Sequence, residues 1–166
     1  AFTYDSPIMS HVHTPNAPAC GKLAVTVSGS NFGATSGAGV RIGETACVTS
    51  IWISDTSLAC DVHNGVGFAR TTTTTLSEVA GTALSFFSYD QPVVTYLEAF
   101  NAPTTGFTSM TLYGTNFGLY DASNSVRVGE TRCLTYAWFT DTKMQCEVAP
   151  GLQSARNAVI ESTITL

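Results

Sequence analysis

The feature that most constrains this chain is that it says nearly the same thing twice. Phe2-Thr3-Tyr4-Asp5-Ser6-Pro7 returns as Phe87-Ser88-Tyr89-Asp90-Gln91-Pro92, and Gly29-Ser30-Asn31-Phe32-Gly33 as Gly114-Thr115-Asn116-Phe117-Gly118, both shifted by 85 residues. After one inserted residue the shift becomes 86, so that Val40-Arg41-Ile42-Gly43-Glu44-Thr45 matches Val126-Arg127-Val128-Gly129-Glu130-Thr131. Cys47, Trp52, Asp55 and Cys60 then match Cys133, Trp138, Asp141 and Cys146. A register held this far with a single insertion means one folded unit built twice. The period is too long for a solenoid repeat and has the size of a small domain, so each copy is expected to fold around its own core, over residues 1–86 and 87–166.

Apolar and polar residues alternate with period two between clusters of turn residues, and no helical stripe is visible, which predicts an all-β fold. In the first copy strands are expected near Pro7 to His13, Lys22 to Ser28, Val40 to Ile42, Cys47 to Ile53, Ser57 to Val62, Gly67 to Thr75 and Ala83 to Tyr89. Leu23, Val25 and Val27 should point inward, as should Met110, Leu112 and Gly114 in the second copy. Short strands in this number imply a two-sheet sandwich. The run Thr71, Thr72, Thr73, Thr74 and Thr75 has hydroxyls on both faces of a β-branched strand and is expected at an outer edge, where O-glycosylation is open to it. The chain contains no Asn-x-Ser/Thr sequon.

Five cysteines sort themselves through the repeat. Cys47 and Cys60 are 13 residues apart, as are Cys133 and Cys146. Each pair brackets an apolar, Trp-containing stretch with a turn inside it, and a hairpin that sets the two positions opposite each other predicts two intradomain disulfides. Such bridges require an oxidising compartment and so a secreted or cell-surface location. Cys20 has Thr105 as its counterpart and no partner in its own copy; a link to a neighbouring chain and a single buried thiol both stand as readings.

Composition excludes several functions. The net charge is −5 with basic residues scattered singly, which gives no electrostatic footprint for nucleic acid. No apolar run approaches the roughly 18 residues of a membrane span. No serine elbow, paired-carboxylate signature or cofactor motif is present, so neither an enzymatic activity nor a cofactor is expected. His11 and His13 share a strand face but supply only two ligands, too few for a metal site. Trp52 and Trp138 are expected to pack against the disulfides rather than to stack on sugars. Asp55 and Asp141 are expected to form Asx-turns with the following Thr, and Asn31 and Asn116 to adopt positive φ in tight turns.

Gly-x-Asn-Phe-Gly after a strand, then Val-x-Ile/Val-Gly-Glu-Thr, then a cysteine answered by a second one after a short hairpin, resembles the IPT/TIG immunoglobulin-like domain. The resemblance covers both copies almost end to end. It implies two tandem immunoglobulin-like (E-set) β-sandwiches. It also places the cysteine pairs with the extracellular members found in plexin-type and growth-factor-receptor-type surface proteins rather than with the DNA-binding Rel-type members. The fold alone confers no function.

Three readings of function follow. The leading one is a non-enzymatic extracellular structural protein that assembles through its own surfaces. In the 86-residue register Leu166 corresponds to Ala80, so the second domain is expected to lack its last strand, while Ala1, Phe2, Thr3, Tyr4 and Asp5 match the end of that strand in the first. Donation of this segment to the second domain of a neighbour would give a head-to-tail filament. The alternative is a piece of a longer tandem array in a receptor or adhesin, where the partners are neighbouring domains and a protein or glycan ligand. The third is an accessory carbohydrate-binding part of an enzyme.

Overall fold

The computed structural model describes residues 2–34, 37–76, 79–98, 101–121, 124–151 and 158–162. It contains strands and no helix among them, and divides into two compact units, Ala1–Tyr89 and Asp90–Leu166. The division falls three residues beyond the point read from the repeat register, because Phe87 and Tyr89 are buried in the core of the first unit.

The first unit contains β1 (Ile8–His13), β2 (Asn16–Ala17), β3 (Ala24–Ser30), β4 (Ala38–Ile42), β5 (Thr45–Ala46), β6 (Thr49–Ser54), β7 (Ser57–Asp61), β8 (Arg70–Leu76) and β9 (Val79–Tyr89). They form a sheet of order β1-β3-β7-β6 and a second of order β2-β9-β8-β4-β5. Every pairing is antiparallel except the short parallel contact of β2 with β9. The second unit repeats the plan with β10 (Val93–Glu98), β11 (Thr108–Thr115), β12 (Asn124–Val128), β13 (Thr131–Arg132), β14 (Thr135–Thr140), β15 (Lys143–Val148) and β16 (Ala158–Ser162). Its sheets are β10-β11-β15-β14 and β13-β12-β16.

Alternation decides what each strand buries. Val25 and Val27 on β3, Leu58 and Cys60 on β7, and Met9 and Val12 on β1 meet Val40, Ile42, Phe87 and Tyr89 of the opposite sheet in one core. Burying a side chain of this size stabilises by about 1.5–3 kcal/mol, and two facing sheets are the smallest arrangement that covers both inner faces. In the second unit Met110, Leu112, Met144 and Cys146 pack with Phe117 and Val126.

The Gly-x-Asn-Phe-Gly motif is explained by packing. Phe32 and Phe117 turn back under the strand they follow and are fully buried. The space they occupy exists because Gly29 and Gly114 have no side chain: a Cβ at either would lie 2.6 Å from the buried phenylalanine ring and overlap the carbonyl of Ile8 or Val93. Asn31 and Asn116 take the expected positive φ, at 60° and 62°, and Gly33 and Gly118 follow at 82° and 90°.

The threonine run lies elsewhere than expected. β8 is an interior strand, hydrogen-bonded to β4 on one side and β9 on the other. Thr72 and Thr74 point into the sandwich and are 0% exposed, while Thr71 faces solvent. A β-branched side chain has nearly the shape of valine, so threonine fills an inner-face position when its hydroxyl can be accommodated. Thr74 donates its hydroxyl to the Met9 sulfur at 2.8 Å. In the folded chain Thr72 and Thr74 are inaccessible to glycosylation, which leaves Thr71, Thr73 and Thr75 of the run.

Candidate binding surfaces

Cys47 is bonded to Cys60, and Cys133 to Cys146, each pair with Cα atoms 5.7 Å apart. Their placement differs from a cross-strand pair within a hairpin. The partner of Cys60 on β6 is Ser50, and that of Cys146 on β14 is Tyr136. Cys47 instead lies in the link between β5 and β6, with its amide donating to the Val40 carbonyl of the other sheet at 2.9 Å, and Cys133 repeats this with Val126. Each disulfide therefore staples one sheet of the sandwich to the other.

The two aspartates also reach further than an Asx-turn. Asp55 Oδ1 accepts the Gly33 amide at 3.0 Å and Asp141 Oδ1 the Gly118 amide at 2.9 Å. Their own carbonyls accept the Phe32 and Phe117 amides at 2.9 Å. The tight hairpin turns rest on Ser54 and Thr140, whose hydroxyls accept the amides of Thr56 and Thr142. A residue read as local turn chemistry thus holds the motif loop from across the fold, because a carboxylate satisfies the amide of a left-handed glycine that no strand pairs.

Cys20 is a free thiol, half-buried, with its sulfur 3.8 Å from the Gly21 carbonyl. Trp52 and Trp138 are partly buried and pack on the two cores, as do Cys47 and Cys133. The Trp52 indole donates to the Gly33 carbonyl at 3.2 Å, while the Trp138 N–H is buried without a hydrogen-bond partner. His11 and His13 stack edge to face on the exposed side of β1, and His13 Nε2 lies 3.0 Å from Ser28 Oγ. Among the described residues no cluster of three or more His, Cys, Asp or Glu could hold a metal ion. Among the described residues no helix is long and apolar enough to cross a membrane.

Phe2, Thr3, Tyr4 and Asp5 are exposed, whereas Ala1 lies outside the described residues. Phe2 and Tyr4 pack edge to face on each other with 84% and 85% of their surface in solvent, while their counterparts Phe87 and Tyr89 are 1% and 7% exposed.

A further group was not selected by sequence reasoning. On the outer face of the β10-β11-β15-β14 sheet, Tyr96 pairs across the strands with Tyr113, and Tyr113 with Lys143. The Tyr96 and Tyr113 ring centroids are 5.8 Å apart, and Lys143 Nζ lies 5.5 Å from the centre of Tyr113 and 5.7 Å from that of Phe139. The Tyr113 hydroxyl donates to Glu98 Oε2 at 3.2 Å. At the edge of the same sheet the Tyr136 hydroxyl donates to Asp121 at 3.3 Å; desolvation first, and the adjacent carboxylate second, raise its pKa above the ordinary tyrosine value.

A family model described as the IPT/TIG domain matches residues 7–91 and again 92–163. No curated protein matches the chain. Among solved structures, the surface glycan-binding protein PbSGBP-B from Prevotella bryantii is 15% identical with a TM-score of 0.61, over 96% of this chain and 40% of that one. A structure with a xylogluco-oligosaccharide is 15% identical with a TM-score of 0.51, over 95% of this chain and 39% of that one. The extracellular region of plexin A4 is 19% identical with a TM-score of 0.47, over 88% of this chain and 13% of that one, a superposition too loose to argue from. The chain thus spans less than half the length of each, and the first two similarities are those of fold. With both copies matched almost throughout, the chain belongs to the IPT/TIG domain family, as two consecutive immunoglobulin-like sandwiches.

Proposed function

We propose that this chain is a non-catalytic, extracellular or surface-displayed module in which consecutive TIG domains are joined through the strand that closes each sandwich. The observation that carries this reading is the contrast between Phe87 and Tyr89, buried at the end of β9, and the matching Phe2 and Tyr4, which lie in solvent. β9 ends at Tyr89 and Asp90-Gln91-Pro92 lead directly into β10 at Val93, just as Asp5-Ser6-Pro7 lead into β1 at Ile8. Phe2 and Tyr4 thus have the pattern of the closing strand of another sandwich. β16, the counterpart of β8, pairs with β12 among the described residues, and in the first unit the other side of β8 carries the closing strand β9. The inter-sheet disulfides support an oxidising location.

The closing strand has two sources, a covalently adjacent domain of a longer array or a second copy of this chain, which would give a head-to-tail filament. Sedimentation velocity of the chain, with and without Phe2→Ser and Tyr4→Ser, separates them. The filament reading expects concentration-dependent polymers that the double variant abolishes. The array reading expects a monomer whose second domain binds a peptide of the β9 sequence Val79 to Tyr89 and melts at higher temperature with it. A monomer that ignores the peptide overturns the proposal.

A second reading, glycan recognition, is favoured by the aromatic row of the second domain. The surface glycan-binding protein and the structure with a xylogluco-oligosaccharide support it only through a shared fold.

A further inference from the structure

The outer face of the β10-β11-β15-β14 sheet carries large side chains that lie outside the hydrophobic core. Tyr96, Tyr113 and Lys143 occupy one line of cross-strand partners, and Phe139, in the β14 bulge beside Thr140, ends it. The ammonium sits against both Tyr113 and Phe139, so three rings and one cation form a continuous row across four strands. Tyr96 and Phe139 are each about half exposed. One pair further along the same strands, Glu98, Thr111 and Gln145 present hydrogen-bonding groups on the same face.

The first domain is an internal control. It builds the same sheet, in the same register, with His11, Ser28, Ser57 and Ile53 at these four positions. The same sandwich thus forms without the aromatic row, and a row of partly exposed rings is a usual mark of a recognition surface.

We propose that this face binds an uncharged, extended polysaccharide. The inference rests on the glycan reading above and gives it a site and a ligand class. Complementarity selects the occupant. The ring faces carry the negative side of the aromatic quadrupole, and the flat C–H faces of a pyranose are electropositive. Glu98, Gln145 and Lys143 supply acceptors and donors beside the row for sugar hydroxyls. An apolar protein partner would bury these same groups without hydrogen bonds. A polyanion would meet Glu98 and Glu147 on this face and a chain of net charge −5, with Lys143 the one cation among the described residues of the face to attract it. Three strand spacings of about 4.8 Å make the row about 14 Å long, enough for about three consecutive sugar rings.

The test is affinity electrophoresis of the whole chain in gels containing mixed-linkage β-glucan or polygalacturonate, with cellohexaose titrated by calorimetry. Retardation by the neutral glucan is expected. Tyr96→Ala and Phe139→Ala should each weaken binding about two- to tenfold, the range of aromatic stacking, and together abolish it. His11→Ala and Ile53→Ala, at the matching positions of the first domain, should leave it unchanged. A urea midpoint equal to the wild type confirms that each surface variant is folded. Binding that survives the Tyr96→Ala/Phe139→Ala double variant would leave the glycan reading standing but overturn this site. Preference for polygalacturonate overturns the ligand class. No retardation by either polymer together with no heat of binding for cellohexaose overturns both.

Discussion

Thr72 offers a test of how the first core is satisfied. Its hydroxyl is buried between β4 and β9 with no hydrogen-bond partner, while that of Thr74, two residues along the same inner face, donates to Met9 Sδ. An unpaired buried hydroxyl costs roughly 1–3 kcal/mol relative to an apolar group of the same shape. Thr72→Val keeps the β-branch, hence the strand preference, and exchanges the hydroxyl for a methyl. Stabilisation of about 1–2 kcal/mol is therefore expected, and each 1 kcal/mol raises the melting temperature of a domain this size by roughly 4–8 °C. Thr74→Val breaks a contact that exists and should be neutral or destabilising by up to about 1 kcal/mol. The assay is urea unfolding followed by tryptophan fluorescence in a Trp138→Phe background, where Trp52 alone reports the first unit. If Thr72→Val destabilises as much as Thr74→Val, the hydroxyl has a partner and the reasoning fails.

Replacing Cys133 and Cys146 by serine opens a 13-residue separation and should cost the second unit about 3 kcal/mol, read as a lower urea midpoint that reducing agent no longer shifts. Gly114→Ala should destabilise that unit by more than about 2 kcal/mol, because the new methyl meets the Val93 backbone and the buried Phe117 ring; an unchanged melting curve would refute the packing account of the motif. Asp141→Ala removes the acceptor of the Gly118 amide and should cost about 1–2 kcal/mol, with amide hydrogen exchange at Gly118 rising to match. Cys20, half-buried, should react slowly with a thiol reagent in the native chain and rapidly in urea; equal rates would place it at the surface.

Much of the architecture was legible because it depends on short-range pattern. The repeat register announced two units, and the alternation of Val25 and Val27 or Met110 and Leu112 announced which face each strand buries. Asn31 and Asn116 could be assigned positive φ because the conformation is set by the residue and its immediate neighbours. The Tyr96, Tyr113, Lys143 and Phe139 row was not legible, since its members come from four strands and share no local motif. Its one sequence signal lay in the places where the copies disagree, with His11, Ser28, Ser57 and Ile53 standing opposite.

The sequence by itself determined the number of domains, their all-β class, the pairing of the cysteines and the inward face of β3 and β11. Tertiary structure alone decided that Cys47 and Cys133 staple sheet to sheet, that Asp55 and Asp141 hold a distant glycine loop, that the threonine run is interior, and that three rings and an ammonium align on one outer face. The reason is the same in each case. Periodicity along a strand fixes which side a residue faces, but only the order and register in which strands pair fix what it faces there.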